Sequence, residues 1–306
     1  MSGEALLGAV EAGGTKFVCA VGRAAPGRVA TPLMRATIDT GPPDETFERV
    51  NAFFEDARRA HGAIAALGVA AFGPIDNDPA SSTYGVVRKT PKTGWTGANY
   101  LAALGRVSDA IRLDTDVNGA ALGEATTPTG QGLKTFAYVT VGTGIGGGVL
   151  RDGAPLNGVG HYEMGHLFPP RDPVRDPFPG RCPFHGACVE GLASGPAIRE
   201  RWGAPLNEAP DGAVALIGDY LGYLAQAIFL THAPARIVFG GGVMKTDGLI
   251  REVRRAAAER LGGYVDLPHL SGDLSDAIVP PALGDDAGLT GAFELARAEL
   301  AARERP

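Results

Sequence analysis

The chain has 306 residues, with 34 Asp or Glu and 28 Lys or Arg, so its formal net charge is −6. The basic residues are dispersed and form no stripe that could follow a phosphate backbone, so nucleic acid is not an expected partner. No stretch without Asp, Glu, Lys or Arg reaches the roughly 18 residues of a membrane-spanning helix, so we expect no membrane partner either.

Length and cysteine content suggest the class of protein. At roughly 150 residues per domain, the chain is expected to form about two domains. The first residues include Glu4 and no basic residue before Lys16, so we expect no secretory signal. Three cysteines, Cys19, Cys182 and Cys188, are too few for a disulfide framework, which favours a cytoplasmic, reducing location.

The first half of the chain alternates short apolar runs with a segment of helical periodicity. Two apolar runs flank a glycine turn and predict a pair of strands. Phe47, Val50 and Phe54 recur at helical spacing and predict a helix. The predicted elements are strands at 6–10, 17–21, 67–72 and 111–113 and helices at 44–62 and 118–125.

The second half repeats the opening pattern, with a strand at 136–141, a glycine loop at 142–148 and a strand at 149–150. This recurrence predicts two related halves, and the alternation of strands and helices predicts an α/β protein. Five prolines between 168 and 181 exclude regular structure there. Further predicted elements are helices at 214–230 and 289–300 and a strand at 236–239, which precedes Gly240, Gly241 and Gly242.

The two glycine loops are candidate phosphate sites. Gly142, Gly144 and Gly147 match the dinucleotide-binding spacing, but a strand is predicted where that fingerprint requires a helix. Gly13-Gly14-Thr15 and Gly142-Thr143-Gly144 have few side chains to keep backbone N–H groups away from phosphate oxygens. Two such loops could hold one triphosphate, although glycines there are equally suited to tight hairpin turns.

Asp116 lies at the junction of a predicted strand and a predicted helix, where α/β proteins commonly present functional side chains. A carboxylate there could accept a hydroxyl proton during phosphoryl transfer. Aspartate at such a junction is also a common helix N-cap. By spacing alone Asp114 is equally eligible, so the residues leave these alternatives open.

A group of sulfur and nitrogen ligands flanks the proline-rich stretch. Cys182, His185 and Cys188 have C-x-x-H-x-x-C spacing, and His166 lies upstream. Two thiolates and two imidazoles suit tetrahedral zinc and leave no position for a catalytic water, so the metal is predicted to be structural. The alternatives are free thiols, a local disulfide or surface histidines.

Glu163 and Glu190 flank this group of ligands. Acidic side chains beside a cleft can accept hydrogen bonds from sugar hydroxyls. Isolated acidic residues are more commonly solvated at the surface. The sequence by itself therefore favours a surface position for Glu163 and for Glu190.

Together these motifs resemble the ROK family of sugar kinases (repressor, open reading frame, kinase), and most closely its bacterial zinc-containing fructokinase branch. The resemblance covers nearly the whole chain. It rests on the first hairpin with Glu11, the block 114–124 and the second hairpin with its glycine loop at 142–148. It also rests on the zinc block, which comprises 163–166 and 182–190, and on the third glycine cluster at 240–242. Segments 73–76 and 90–95 are similar to family segments near the sugar.

The resemblance implies ATP-dependent phosphorylation of D-fructose at its 6-hydroxyl, with Mg²⁺ accompanying ATP and a structural Zn²⁺. The Asp-x-Asn register of the family selects Asp116 over Asp114 as the general base. The implied sugar contacts are Asn118, Glu163, His166 and Glu190. The implied nucleotide contacts are Gly13, Gly14, Thr15, Lys16, Gly142, Thr143, Gly144, Gly240, Gly241 and Gly242. The implied zinc ligands are His166, Cys182, His185 and Cys188, in which His185 departs from the three-cysteine set of many family members.

The family fold implies two ribonuclease-H-like domains of the actin and hexokinase type, with an interdomain cleft for ATP and sugar. The small domain would comprise residues 1–112 with the carboxy-terminal helix 287–306. The large domain would comprise residues 113–286 and include the zinc-bound loop. The family also implies a homodimer.

Three alternatives share this fold. A kinase of mannose, glucose or an amino sugar would have the same motifs, because hydroxyl selection depends on geometry finer than motif spacing. A non-catalytic, sugar-sensing ROK repressor would carry a helix-turn-helix domain, which is not expected here because the first hairpin starts within the first dozen residues. An actin-type ATP switch would give the zinc block no role.

Overall fold

A computed structural model describes residues 5–23 and 31–304 of the chain. Glu4, on which the expectation of no secretory signal partly rests, lies outside the described residues. The chain forms two compact units. Unit 1 contains the residues up to Gln131, the segment Asn157–His161 and the residues from Asp285 onward, and unit 2 contains Gly132–Leu156 and Tyr162–Gly284.

The sheet of unit 1 has five strands: β1 (Leu6–Ala12), β2 (Lys16–Arg23), β3 (Pro32–Asp39), β4 (Ala66–Ala71) and β5 (Ile111–Thr115). Their order in the sheet is β3-β2-β1-β4-β5. β1 and β2 form the predicted antiparallel hairpin, and β3 pairs antiparallel with β2. β4 pairs parallel with β1, and β5 pairs parallel with β4.

The sheet of unit 2 also has five strands: β6 (Thr135–Val141), β7 (Ile145–Arg151), β8 (Ala154–Pro155), β9 (Arg236–Gly240) and β10 (Ile278–Val279). Their order is β10-β9-β6-β7-β8. β6, β7 and β8 are antiparallel neighbours, whereas β9 and β10 add in parallel. Strand order and direction therefore correspond strand for strand in the two sheets, which confirms the prediction of two related halves in an α/β chain.

Helices cover both sheets. Those of unit 1 are α1 (Pro43–His61), α2 (Tyr100–Leu104), α3 (Asp116–Ala125) and α8 (Ala287–Arg303), and those of unit 2 are α4 (Val189–Ala193), α5 (Gly195–Trp202), α6 (Ala213–His232) and α7 (Leu249–Leu261). Helix α1 begins at Pro43, which needs no backbone N–H there, and Asp44 and Glu45 suit the positive end of the helix dipole.

Helix α8 packs on α3 and β4 of unit 1, and glycines permit its close approach. A Cβ on Gly291 would lie 1.6 Å from the carbonyl oxygen of Gly119 in α3. A Cβ on Gly68 of β4 would lie 1.8 Å from the carbonyl oxygen of Ala292. These backbone atoms cannot move aside as a flexible side chain can, so only glycine fits at both positions.

The boundary between the units differs from the predicted division. The expected boundary between residues 112 and 113 would fall inside β5. In the structure residues 113–131 belong to unit 1, because β5 pairs with β4 and α3 packs against α8.

Other differences concern short or polar elements. α3 begins two residues before the predicted start, and β7 begins at Ile145, within the predicted glycine loop. The elements without a predicted counterpart are β3, β8, β10, α2, α4, α5 and α7. The stretch 168–181 contains neither helix nor strand, as its prolines predict.

Helix α6 is the one described helix that is long and apolar enough to cross a membrane by length and composition, with a mean hydropathy of 1.6 over its window. It includes Asp219, and 56% of that window is buried. Its buried residues, among them Ile217, Leu221 and Leu224, pack in the apolar core of unit 2. A core helix has the same pattern.

Candidate active site

The junction of β5 and α3 carries the carboxylates that the sequence singles out. Thr115 is the N-cap of α3, and its hydroxyl accepts a hydrogen bond from Asn118 N at 3.2 Å. Asp116 is the first residue of the helix, and its Oδ1 accepts from Val117 N at 2.9 Å. The N-cap role, which was the alternative for Asp116, therefore belongs to Thr115.

Asp114 and Asp116 have different surroundings. Asp114 is 6% exposed, and its two oxygens accept hydrogen bonds from the amides of Asn77, Asn118 and Asn157. Asp116 is only half-buried, so it is the carboxylate that a ligand could reach. A general base must come within hydrogen-bond distance of the substrate oxygen. Asn77 and Asn157 lie outside the sequence motifs that carry chemistry, so no motif predicts a role for them.

Glu11, near the end of β1, is a further carboxylate whose charge interacts with that of Asp116, and it is not among the predicted site residues. Burial raises the pKa of Glu11 to about 7, and the charge of Asp116 raises it as well, while Lys16 and Arg35 lower it. A Cβ on Gly288 would lie 2.6 Å from Glu11 Oε1, so the start of α8 packs against this carboxylate. An acidic residue in an otherwise apolar strand was the available sequence signal.

The turn of the first hairpin is exposed and held by side chains from outside it. Gly13 N donates to Lys16 O at 2.9 Å across the turn. Thr40 Oγ1 donates to Gly13 O at 2.9 Å, and Lys92 Nζ donates to Gly14 O at 2.5 Å. The carbonyl groups of Gly13 and Gly14 are thus bound by the protein, while the tip of the turn faces solvent.

Glu190 supports the second hairpin. Its Oε2 accepts from Ile145 N at 2.9 Å, and a Cβ on Gly144 would lie 2.8 Å from the same oxygen. Gly195 N donates to Gly142 O at 2.8 Å. Glu190 is therefore half-buried against the glycine turn rather than solvated at the surface, and a Cβ at position 144 would displace its carboxylate.

His166, Cys182, His185 and Cys188 bring their ligand atoms within 4.8 Å of one another. The two histidine Nδ1 atoms are 3.3 Å apart, and His166 Nδ1 lies 3.7 Å and 3.5 Å from the two sulfurs. With Zn–N of about 2.0–2.1 Å and Zn–S of about 2.3 Å, tetrahedral ligand atoms are about 3.3–3.8 Å apart. The four side chains therefore fit one zinc ion, and Cys182 and Cys188 are not joined by a disulfide.

The two ring nitrogens of His166 face different groups. Nδ1 points into the ligand cluster, whereas Nε2 lies 3.9 Å from Glu163 Oε2. Histidines that bind a metal through one nitrogen commonly direct the other to a carboxylate, which fixes the ring orientation. Glu163 is exposed, so its carboxylate can meet both the imidazole and a ligand.

The third glycine cluster comes directly after β9, and its members differ in role. A Cβ on Gly240 would lie 2.2 Å from Tyr138 Oη, and one on Gly241 would lie 2.4 Å from Val141 O. Gly241 also has a φ of 92°, which disfavours other residues. Gly242 is exposed and lines a cavity of about 560 Å³, a volume suited to a small-molecule ligand.

Comparison with known proteins identifies the family. The profile described as "ROK family" matches residues 7–299. The chain belongs to the ROK family. The match includes the two hairpins, the β5–α3 junction, the zinc-ligand cluster and the third glycine cluster, which are the segments on which the resemblance rests.

Members of the ROK family with known names align with nearly the whole chain. The fructokinase of Zymomonas mobilis is 42% identical over 96% of this chain and 97% of its own length. The fructokinase of Streptococcus mutans is 36% identical over 97% of this chain and 99% of its own length. The crystal structure of a ROK hexokinase from Thermus thermophilus matches with a TM-score of 0.74 and 26% identity, covering 97% of this chain and 99% of that one. The fold is thus that of the ROK hexokinases, with two actin- and hexokinase-like domains.

Proposed function

We propose that the chain is an ATP-dependent fructokinase, which transfers the γ-phosphoryl group of ATP to the 6-hydroxyl of D-fructose. The observation that carries this proposal is the identity of 36–42% to three fructokinases over 96–97% of the chain. Kinases of other hexoses are the alternative. The products are fructose 6-phosphate and ADP.

In this reaction Asp116 is the general base. Its carboxylate accepts the proton of the 6-hydroxyl as that oxygen attacks the γ-phosphorus, and the bond to the β-phosphate oxygen breaks. Mg²⁺ enters with ATP as the substrate complex and neutralises charge on the phosphates. Thr115 supports this role because it caps α3 and fixes the backbone on which Asp116 is carried.

The proposal assigns the phosphates to the two glycine hairpins, through Gly13, Gly14, Thr15 and Lys16 in unit 1 and through Gly142, Thr143 and Gly144 in unit 2. It assigns the nucleoside to the cavity lined by Gly242. The polar residues of that cavity are Asn207, Asp211, Lys245, Thr246 and Asp247. Gly240 and Gly241 contribute by allowing β9 to pack closely against β6.

The proposed sugar contacts are Asn118 in unit 1 and Glu163, His166 and Glu190 in unit 2. The carboxylates are acceptors for sugar hydroxyls. One oxygen of Glu190 already accepts from Ile145 N, so this residue would bind sugar and support the phosphate hairpin together.

A panel of sugars tests the proposed activity. ADP release is measured with MgATP and fructose, mannose, glucose or N-acetylglucosamine. We expect kcat/KM for fructose to exceed that for each other sugar by about tenfold or more. A higher value for another hexose contradicts the substrate and retains the kinase, whereas turnover of none contradicts both.

We further propose that His166, Cys182, His185 and Cys188 hold a structural zinc ion. When bound, zinc supplies a fixed tetrahedral centre rather than a reactive one, because all four positions are taken by protein ligands. The ion would hold His166 with its Nε2 toward Glu163 and so preorganise the sugar contacts.

Removal of zinc is expected to affect a limited region. Asp176, in the proline-rich stretch, binds Arg201 Nη2 at 3.0 Å and Tyr220 Oη at 2.6 Å, and this buried contact does not involve the zinc ligands. We therefore expect chelation to release the segments around His166 and 182–188 and to leave the contacts of Asp176 in place.

The test compares two cysteine variants. Cys188→Ser is expected to contain less than about a tenth of the wild-type zinc by metal analysis and to raise the fructose KM about tenfold or more. Cys19→Ser removes a buried thiol outside the cluster and is expected to keep full zinc content. Full zinc content in Cys188→Ser, or full activity in chelated, metal-free wild-type protein, contradicts the zinc proposal.

We also propose a cytoplasmic homodimer, as the family resemblance implies. Cys19, Cys182 and Cys188, all three within the described residues, form no disulfide, which supports a reducing compartment. Light scattering is expected to give about twice the chain mass of 31.5 kDa, and a value equal to it contradicts the dimer.

A further inference from the structure

Asp114 lies in a cage of three asparagine amides. Its Oδ1 accepts from Asn77 Nδ2 at 2.9 Å and from Asn118 Nδ2 at 2.7 Å, and its Oδ2 accepts from Asn157 Nδ2 at 3.3 Å. Thr115 N also donates to Oδ1, at 2.7 Å. Asp114 is 6% exposed and Asn118 is 3% exposed, so these hydrogen bonds form away from bulk solvent.

The charge of Asp114 determines which way the amides face. An ionised carboxylate only accepts hydrogen bonds, so each asparagine must present its NH₂ group to it. Asn118 uses one amide hydrogen for Asp114 and the other for Asn157 Oδ1 at 3.1 Å. Both of its donors are then used, and the group of Asn118 that is left for a ligand is its carbonyl oxygen, Oδ1.

The backbone that carries Asp114 is itself fixed. Tyr84 Oη donates to Leu113 O at 2.8 Å and accepts from Leu113 N at 2.7 Å, so one hydroxyl satisfies both backbone groups at the edge of β5. The next residue in the chain is Asp114. The backbone is therefore held just before Asp114, and the carboxylate itself is held by the four hydrogen bonds to its oxygens.

We propose that Asp114 is a positioning residue, which orients Asn118 so that its Oδ1 accepts a hydrogen bond from a hydroxyl of the sugar. Asp114 acts through Asn118 and does not touch the substrate. Without the carboxylate, Asn118 can rotate its amide and present NH₂, which cannot accept a hydrogen bond. The inference rests on the proposed function, because it takes Asn118 as a sugar contact.

The experiment is a double-mutant cycle with Asp114→Asn, Asn118→Ala and the two combined. In the wild-type background Asp114→Asn is expected to raise the fructose KM about 10–100-fold, the range for hydrogen bonds to charged groups. In the Asn118→Ala background the same change is expected to alter KM less than about twofold, because nothing remains to be oriented. We expect kcat to change less than about threefold and the KM for ATP to stay constant.

A control variant separates positioning from loss of stability. Asn51 lies on α1 of the same unit, and its buried side-chain amide donates to Ala103 O at 3.0 Å; Asn51→Ala removes this amide. It is expected to lower the melting temperature and to leave the fructose KM within about twofold of wild type. If Asp114→Asn does not fold, Asn157→Ala replaces it in the cycle, with an expected rise in KM of about 3–10-fold that vanishes in the Asn118→Ala background.

Equal effects of Asp114→Asn in both backgrounds would overturn the proposal, as would a fall in kcat with an unchanged fructose KM. Failure of the proposed function is distinguishable, because it appears in the wild-type enzyme as turnover of another sugar. The cycle is then measured with that sugar, and the coupling between positions 114 and 118 decides the inference.

Discussion

The two sheets have the same strand order, yet the segments after their third and fifth strands differ. In unit 1 only residues 40–42 separate β3 from α1. Residues 156–212, all but 157–161 of them in unit 2, lie between β8 and α6 and contain all four candidate zinc ligands. After β5 the chain enters α3 directly with Asp116. After β10 come Pro280 and Pro281, and the next α-helix, α8, begins only at Ala287 and belongs to unit 1. The duplicated scaffold thus carries its carboxylate in one unit and its metal ligands in the other.

The largest expected effect concerns Asp116, the carboxylate at the end of β5 that has no counterpart at the end of β10 in unit 2. Asp116→Asn keeps the shape of the side chain and removes its basicity, so kcat is expected to fall about 10²–10⁴-fold while the fructose KM stays within a few-fold. The control in unit 2 is Asp276→Asn, an exposed carboxylate just before β10, for which kcat is expected within about twofold of wild type. Turnover of Asp116→Asn near the wild-type rate would end the assignment of the general base.

The hairpins were predictable from sequence because their determinants are local. An apolar run, a glycine turn and a second apolar run specify the hairpin β1–β2. The same pattern specifies the second hairpin, β6–β7. The strand β3 was missed because it is an edge strand whose side chains are mostly exposed, so it lacks an apolar run. Strand order could not be predicted for a different reason, because the pairing of β1 with β4 joins residues far apart in sequence.

The candidate site was predictable in its residue types and not in its contacts. The spacing of Cys182, His185 and Cys188 predicted the ligand cluster that the structure forms. The choice between Asp114 and Asp116 needed the family register or the structure, because burial of one carboxylate by asparagines distant in sequence leaves no local pattern. The same holds for Glu11, whose raised pKa depends on burial beneath α8.

A second prediction compares the helix contacts of the two units. Gly291→Ala places a Cβ 1.6 Å from the carbonyl oxygen of Gly119, whereas Gly222→Ala in α6 places one 2.5 Å from the Cβ of Ala256 in α7. We expect Gly291→Ala to lower the free energy of unfolding by about 3 kcal/mol or more and Gly222→Ala by about 1–2 kcal/mol. Urea unfolding of each variant measures the difference, and a larger loss for Gly222→Ala would show that the α3–α8 contact is the more adaptable one.

The smallest expected effect concerns Glu11, whose equivalent in the second hairpin, by position on the strand, is the neutral Thr140. Burial raises the pKa of Glu11 from 4.5 to about 7, with further contributions from the charges of Asp116 and Asp286 and opposing ones from Lys16 and Arg35. Below pH 4.5 the residue is protonated in both the folded and the unfolded chain. Between pH 4.5 and 7 the folded chain retains a proton that the unfolded chain has released, so stability falls as the pH rises through this window.

Glu11→Gln removes this titration and is therefore expected to be more stable than the wild type at pH 8, by on the order of 2 kcal/mol. At pH 4 the two proteins are expected to have the same free energy of unfolding. The measurement is urea unfolding of both proteins from pH 4 to pH 8, with Thr140→Ser as the control whose difference from wild type is expected to be independent of pH. If the wild type instead gains stability relative to Glu11→Gln as the pH rises, the folded chain favours the ionised form of Glu11. The pKa of Glu11 would then be lowered by folding rather than raised by burial, which contradicts the prediction.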